Sequence, residues 1–244
     1  KDISFMNNPH TFSNLRSPGY LGNKPYIGLI MVIIGSLIFL TIAYNLVNNG
    51  PLIQWDLPVA NWFHNLALNS SPLVINIMVA GYYFGVWGTA LIAVILALYF
   101  IRKKFWRELV MIIVSMGLSG LIFLFLSHIF MRPRPFLIFN EQIWLNSSNI
   151  PGFPSGHTKT ILVLCGFLVY LLLPKIKSRL RKNLVILAAL LVVLFIGFSR
   201  LYVGDHYLSD VIAGYAVGIA WFGLSYTAIE SLFQKYHLRK EKLF

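Results

Sequence analysis

Three short clusters hold residue types that together suit an anion. They are Arg132-Pro133-Arg134-Pro135, Pro154-Ser155-Gly156-His157, and Ser199-Arg200 running through His206 to Asp210. The second stands where a polar loop gives way to the apolar run from Ile161 to Leu173. Ser155 suits a helix cap, Gly156 lets a ligand approach the backbone, and the first helical N–H groups point outward together. Arg134 and Arg200 suit forked hydrogen bonds to phosphate oxygens and neutralise charge that develops on a transferred group. The Ser155 hydroxyl and the Gly156 and His157 amides add neutral donors. The chain has neither a carboxylate cluster for a divalent cation nor a glycine-rich nucleotide loop with a lysine. The expected chemistry is phosphate transfer without metal or cofactor, in which a side chain attacks.

His206 and Asp210 are spaced i, i+4, on one face if a helix has already begun there. Asp210 would then accept from one ring nitrogen and leave the other as a lone pair aimed at phosphorus. Two histidines at one anion cradle divide the work: one attacks, the other protonates the leaving oxygen and later activates water. Each motif has a plainer competitor, an ordinary helix start for Pro154-Ser155-Gly156-His157 and a helix-capping pair for His206 with Asp210. Gly204 and Asp205 fit a tight turn, and Asp205 takes no role from the sequence.

These clusters must be positioned by apolar elements. The 244 residues are 57% hydrophobic and 11% charged, with mean hydropathy +0.71, too apolar for a soluble domain of this length. Six spans are expected: about Tyr26 to Val47, Leu73 to Ile101, Leu109 to Met131, Ser155 to Leu173, Leu184 to Phe198 extended by its motif, and Asp210 to Leu232. Between the first two, Pro51 to Asn69 carries Trp55, Trp62 and Phe63, as an interfacial helix or a loop with aromatic anchors. Residues 1–24 form a polar lead-in without the apolar core of a signal peptide, 25–233 the six-span domain and 234–244 a basic tail. The lone Cys165 lies in an apolar helix and reads as packing.

The net charge of +12 sits on dispersed short segments, which excludes a nucleic-acid surface in favour of cytoplasmic loops. Lys1, Arg16 and Lys24 lie before the first span. Arg102, Lys103, Lys104 and Arg107 follow the second. Lys175, Lys177, Arg179, Arg181 and Lys182 follow the fourth, and Lys235, Arg239, Lys240 and Lys242 the sixth. Six spans put all four segments on one side, the cytoplasmic one with both termini. Arg132, Arg134, Lys159 and Arg200 are left on the outer face. The fold expected is an all-α, integral membrane six-helix bundle of a cell membrane, its site at the extracytoplasmic face.

The clusters resemble the type 2 phosphatidic acid phosphatase superfamily, whose signature is Lys-x6-Arg-Pro, Pro-Ser-Gly-His and Ser-Arg-x5-His-x3-Asp. The second motif matches at residues 154–157 and the third without gaps from Ser199 to Asp210. The resemblance implies metal-independent phosphate release from a membrane lipid, with no cofactor. It makes His206 the nucleophile that forms a phosphohistidine, Asp210 its orienting partner and His157 the general acid. Arg134, Ser155, Gly156, Ser199 and Arg200 would hold the phosphate. Undecaprenyl diphosphate and phosphatidylglycerol phosphate are the leading substrates it suggests. A non-water acceptor would make the same chemistry a phosphotransferase; a transporter without chemistry would need ionisable residues near mid-bilayer.

One departure stands out. The first motif, set on Arg134-Pro135, places its lysine at Ser127; set on Arg132-Pro133, at Phe125. Lys159, four residues after Ser155, is a substitute cation at a helix N-terminus where the dipole disfavours one, unless it snorkels to the interface. Arg132 and His128 are further candidates. In the loop from Phe136 to Phe153, Phe139, Trp144 and Phe153 would seat a lipid or anchor in the aromatic belt.

Overall fold

The computed structural model of the chain describes residues 25–139 and 150–241. Lys1, Arg16, Lys24, Trp144 and Lys242, with the side chains of Arg239 and Lys240, lie outside the described residues. Within them the chain forms helices and no strand. α1 is Pro25–Val47, α2 Asp56–Leu68 and α3 Pro72–Lys103, which holds a π-turn at Phe84–Gly88. α4 comprises Trp106–Ile112 and Ser119–Phe130, joined by a π-turn at Ile113–Leu118. α5 is Gly156–Leu172, α6 Arg179–Tyr202 and α7 Leu208–Glu241. All but α2 are long and apolar enough to cross a membrane. Pro51 to Asn69 is therefore helical through most of its length.

Hydropathy underlies this architecture. Leu29, Leu37, Leu91, Leu98, Phe125 and Leu191 all point outward, as side chains do where the surrounding solvent is lipid. The expected fifth span is too short at its start. α6 takes in Arg179, Arg181 and Lys182 there, polar residues that hydropathy alone trims away, while at its close it runs on through Ser199 and Arg200, as the extension by the motif anticipates.

Lipid gives helices no hydrophobic reason to associate, so small residues and polar contacts do it. α1 and α7 meet backbone to backbone: a Cβ at Gly35 would lie 2.5 Å from the Ala216 carbonyl oxygen, and one at Gly223 2.7 Å from that of Gly28. Val163 and Phe167 of α5 pack with Phe222 and Tyr226 of α7, and Cys165 is buried in a neighbouring apolar cluster. Toward the basic loops, Arg107 pairs with Glu230, and Tyr170 bonds both.

The opposite end carries the three motifs, where α4 and α6 finish and α5 and α7 begin. The Ser155 amide donates to the Asp210 carbonyl at 2.9 Å, and the Thr158 hydroxyl to the Val211 carbonyl at 3.3 Å. Gly214 permits this contact: a Cβ there would lie 2.1 Å from Thr158 Oγ1 and 2.5 Å from the Ser155 carbonyl oxygen. Gly214→Ala is accordingly expected to cost about 1–3 kcal/mol of stability in detergent by overpacking. Gly120→Ala, whose Cβ meets nothing within 4 Å, is expected to be neutral or stabilising by up to about 1 kcal/mol through helix propensity. Thermal unfolding of the two variants side by side checks both signs.

Candidate active site

Gly204, at φ +70°, takes the left-handed conformation that turns α6 into α7. The amides of Asp205 and His206 then both fold back onto the Arg200 carbonyl, at 3.1 and 3.4 Å. This tight turn carries His206 into the bundle end, where it is 2% exposed. Its Nδ1 lies 2.8 Å from the Gly152 carbonyl oxygen, a bond that makes Nδ1 the donor and directs Nε2 inward, where Nε2 has no partner. His157, in the first turn of α5, presents its ring 6.0 Å from that of His206 at 67°, with its own Nε2 unpartnered.

Asp210 departs from its expected role. α7 begins at Leu208, so His206 precedes the helix and the i, i+4 face does not form. Asp210 Oδ2 lies 3.7 Å from His206 Nδ1, too far for a hydrogen bond. It accepts instead from the Tyr207 amide at 2.8 Å, while Oδ1 takes Arg132 at 2.5 Å. The orienting acceptor of His206 is the Gly152 carbonyl, a backbone group that residue types do not announce.

Arg134 donates Nε to the Ile150 carbonyl at 3.0 Å and Nη1 to the Asp205 carboxylate. Arg200 has no exposed surface; its guanidinium lies 4.1 Å over the Tyr82 ring and donates Nη2 to Ser199 Oγ at 2.8 Å. Its Nε and Nη1 have no partner. Ser199 donates in turn to the Met78 carbonyl at 2.7 Å, so it steadies Arg200 and ties α6 to α3. Ser155 occupies the N-cap position of α5 without making a cap bond, and its buried hydroxyl is unpartnered. Gly156 packs its backbone against Phe123, where a Cβ would lie 3.1 Å from the ring.

Arg134, Gly156, His157, Lys159 and His206 line a cavity of about 620 Å³. Its other walls, from α3 and α4, include Thr89, Ala93, Val94, Met116 and Phe123. Lys159 does not snorkel: it is 1% exposed and donates Nζ to the Ser119 carbonyl, beside Phe123. Of the three candidates for the absent lysine, Lys159 alone lines this cavity. Arg132 is committed elsewhere, and the exposed His128 turns Nδ1 to its own helix at Leu124. Phe153 is fully buried against Phe39 and Phe130, neither seat nor belt anchor, while Phe139 stacks on His64 of α2.

Two acids went unassigned in the sequence. Asp56, the first residue of α2, accepts from the Ser209 amide at 2.9 Å, Ser209 Oγ at 2.5 Å and Arg132 Nη2 at 2.7 Å. Its only sequence signal is an acid at the first turn of an amphipathic stretch. Asp205 is 3% exposed, with Oδ2 3.4 Å from His206 Nε2 and 4.0 Å from Arg200 Nη1. Burial pushes its carboxyl up, but His206, Arg134, His157 and Arg200 together outweigh burial and hold it well below the usual carboxylate range. Metal-ligating atoms of His157, Asp205 and His206 fall within 4.8 Å of one another. The guanidiniums of Arg134 and Arg200 stand against the same carboxylate, however, so a dication would face two fixed cations. The donor set suits an anion.

Comparison with known proteins supplies the family. The family description "PAP2 superfamily" matches residues 108–233, just over half of the chain. The chain is similar to phosphatidylglycerophosphatase B of Bacillus subtilis, 32% identical over 136 residues, 55% of this chain and 64% of that protein. It is also similar to lipid A 1-phosphatase of Rhizobium johnstonii, 33% identical over 111 residues, 43% and 41% of the two chains. The chain thus spans less than two thirds of either relative. Among solved structures it superposes on a transmembrane PAP2-type phosphatidylglycerolphosphate phosphatase from Bacillus subtilis, with TM-score 0.63 and 25% identity. That match covers 79% of this chain and 94% of the other.

The Asp56–Arg132–Asp210 bridge yields a stability prediction. Asp56→Ala leaves a buried guanidinium with half its counter-charge and is expected to cost about 3–5 kcal/mol. Ser209→Ala, which removes a neutral hydroxyl from the same network, is expected to cost only about 1 kcal/mol. Chemical unfolding in detergent separates the two; equal losses would show that charge is not what holds α2 to the site.

Proposed function

The chain belongs to the PAP2 superfamily, and on that premise we propose that it is a metal-independent phosphatase of a membrane lipid phosphate or diphosphate, working through a phosphohistidine on His206. One observation carries this reading: two histidines whose Nε2 atoms make no hydrogen bond lie with their rings 6.0 Å apart, beside Arg134, in the lining of a largely apolar cavity.

The Gly152 carbonyl holds His206 in the tautomer whose Nε2 keeps its lone pair, and that nitrogen attacks phosphorus. The P–O bond to the lipid breaks as His157 delivers a proton to the leaving oxygen. His157 then takes a proton from water, whose oxygen displaces the histidine and frees inorganic phosphate. Arg134, Arg200, the Ser155 hydroxyl and the amides at the start of α5 stabilise the charge on the phosphoryl oxygens. Lys159 stands in for the lysine that Ser127 replaces, since it is the one candidate of the three that lines the same cavity. Ser199 acts through Arg200.

The apolar walls take the proximal part of a lipid chain while the head group meets the cations. Phosphatidylglycerol phosphate is the first candidate, because the relative and the superposed structure both carry that substrate class in their names. Undecaprenyl diphosphate is the second. The basic loops lie at the opposite end of the bundle from the site, which supports cytoplasmic termini and a site facing outward in a cell membrane.

Phosphate release from these two lipids, assayed in detergent with EDTA present, is expected to persist in the unsubstituted protein. It is expected to vanish in His206→Ala and to fall about 10²–10⁴-fold in His157→Ala. Lys159→Ala is expected to raise KM for the lipid more than it lowers kcat. Folded protein that releases no phosphate from either lipid, yet moves phosphate to an added alcohol, would make it a phosphotransferase.

A further inference from the structure

Asp205 occupies an unusual place. Its carboxylate stands among the same groups that would hold a phosphate: bonded to Arg134, 3.4 Å from His206 Nε2 and 4.0 Å from Arg200 Nη1. One of its oxygens is satisfied and the other is not, since Oδ2 is buried without a hydrogen-bond partner. Beside that oxygen, His206 Nε2 at 3.4 Å and Arg200 Nη1 at 4.0 Å are likewise buried without a hydrogen-bond partner, as are His157 Nε2 and Arg200 Nε of the same site. Buried polar atoms are rarely left so, and a cluster of them marks a ligand position.

Arg200 adds a steric argument. Though it belongs to the motif, it has no exposed surface and does not line the cavity that His157, His206 and Arg134 reach. Tyr82 covers one face of its guanidinium, and the Asp205 carboxylate stands before Nη1. A phosphate in contact with both arginines must therefore enter the volume that this carboxylate fills. Charge argues the same way: two guanidiniums balance a phosphate dianion, whereas a carboxylate left between them gives the buried site surplus negative charge. The Asp205 backbone is held by the hydrogen bond that its amide donates to the Arg200 carbonyl, so a side-chain rotation suffices.

We propose that the Asp205 carboxylate is the resting occupant of the phosphate site, a built-in competitor that swings aside when a phosphoryl group binds and returns to expel inorganic phosphate. It keeps the two arginines supplied with an anion when no substrate is present. It also sets the affinity of the site for every phosphate, substrate and product alike. The inference rests on the lipid-phosphatase reading only in that the ligand is a phosphate.

The test compares the full chain with Asp205→Asn and Asp205→Ser in detergent. Inorganic phosphate and orthovanadate are titrated by calorimetry and thermal unfolding, which need no turnover, and KM is measured for phosphatidylglycerol phosphate. Both variants are expected to bind inorganic phosphate at least about tenfold more tightly than the unsubstituted protein, with a matching fall in KM. Each is expected to unfold at lower temperature without phosphate and to regain the difference when phosphate is added. Unchanged or weaker phosphate binding would overturn the proposal, as would variants that fail to fold even in phosphate. A lower lipid KM with unchanged phosphate binding would also overturn it, because the carboxylate would then oppose the head group and not the phosphoryl. If phosphate binding tightens while even the unsubstituted protein hydrolyses no lipid, the inference stands and the phosphatase reading falls.

Discussion

A guanidinium taken out of water costs several kcal/mol unless partners receive its hydrogen bonds, and Arg132, Arg134 and Arg200 are all buried at one end of this bundle. How each is compensated separates framework from chemistry. Arg132 is saturated, by Asp56, Asp210, Ser209 and the face of Tyr207. Arg134 is shared between a carbonyl and a carboxylate yet still reaches the cavity. Arg200 keeps two nitrogens bare. Incomplete compensation in a buried cation is costly, and a bound anion is the partner that removes the cost.

The rest of the fold serves to hold those cations and the two histidines in one place. α5 and α7 start side by side because Gly214 leaves no side chain between them, and α7 is held along its length by α1 through small residues. The Gly204 turn brings Asp205 and His206 back under the last turn of α6. α2 is tied in through Asp56, so a short helix outside the six spans has a place in the framework of the site. Each contact is polar or backbone to backbone, as expected where lipid offers no hydrophobic contrast.

Much of this was legible in the chain. The six spans follow from hydropathy, and the gathering of residues from Arg134 to Asp210 follows from motif order and an even number of crossings. The start of α6 was not legible, because Arg179, Arg181 and Lys182 are helical yet polar. Neither was the true partner of His206, a backbone carbonyl at Gly152 that any residue type supplies. Asp56 and Asp205 were hidden for a different reason. Their importance comes from what lies across the fold, 76 residues away for Asp56 with Arg132 and 71 for Arg134 with Asp205, and single-chain spacing carries no trace of it. Lys159 was visible as an oddity, and the fold turns it inward: its ammonium is buried on the Ser119 carbonyl, where an interfacial lysine would have turned outward.

The central claim is that His206 Nε2 becomes covalently bonded to phosphorus. Rapid acid-free quenching of the protein during turnover of a phosphorus-labelled lipid phosphate, followed by peptide mapping, tests it directly. The account predicts an acid-labile, alkali-stable phosphoryl group on the peptide containing His206, lost when His206 is replaced and accumulating in His157→Ala. Label on His157, or turnover that proceeds with no labelled histidine at any time point, would contradict it.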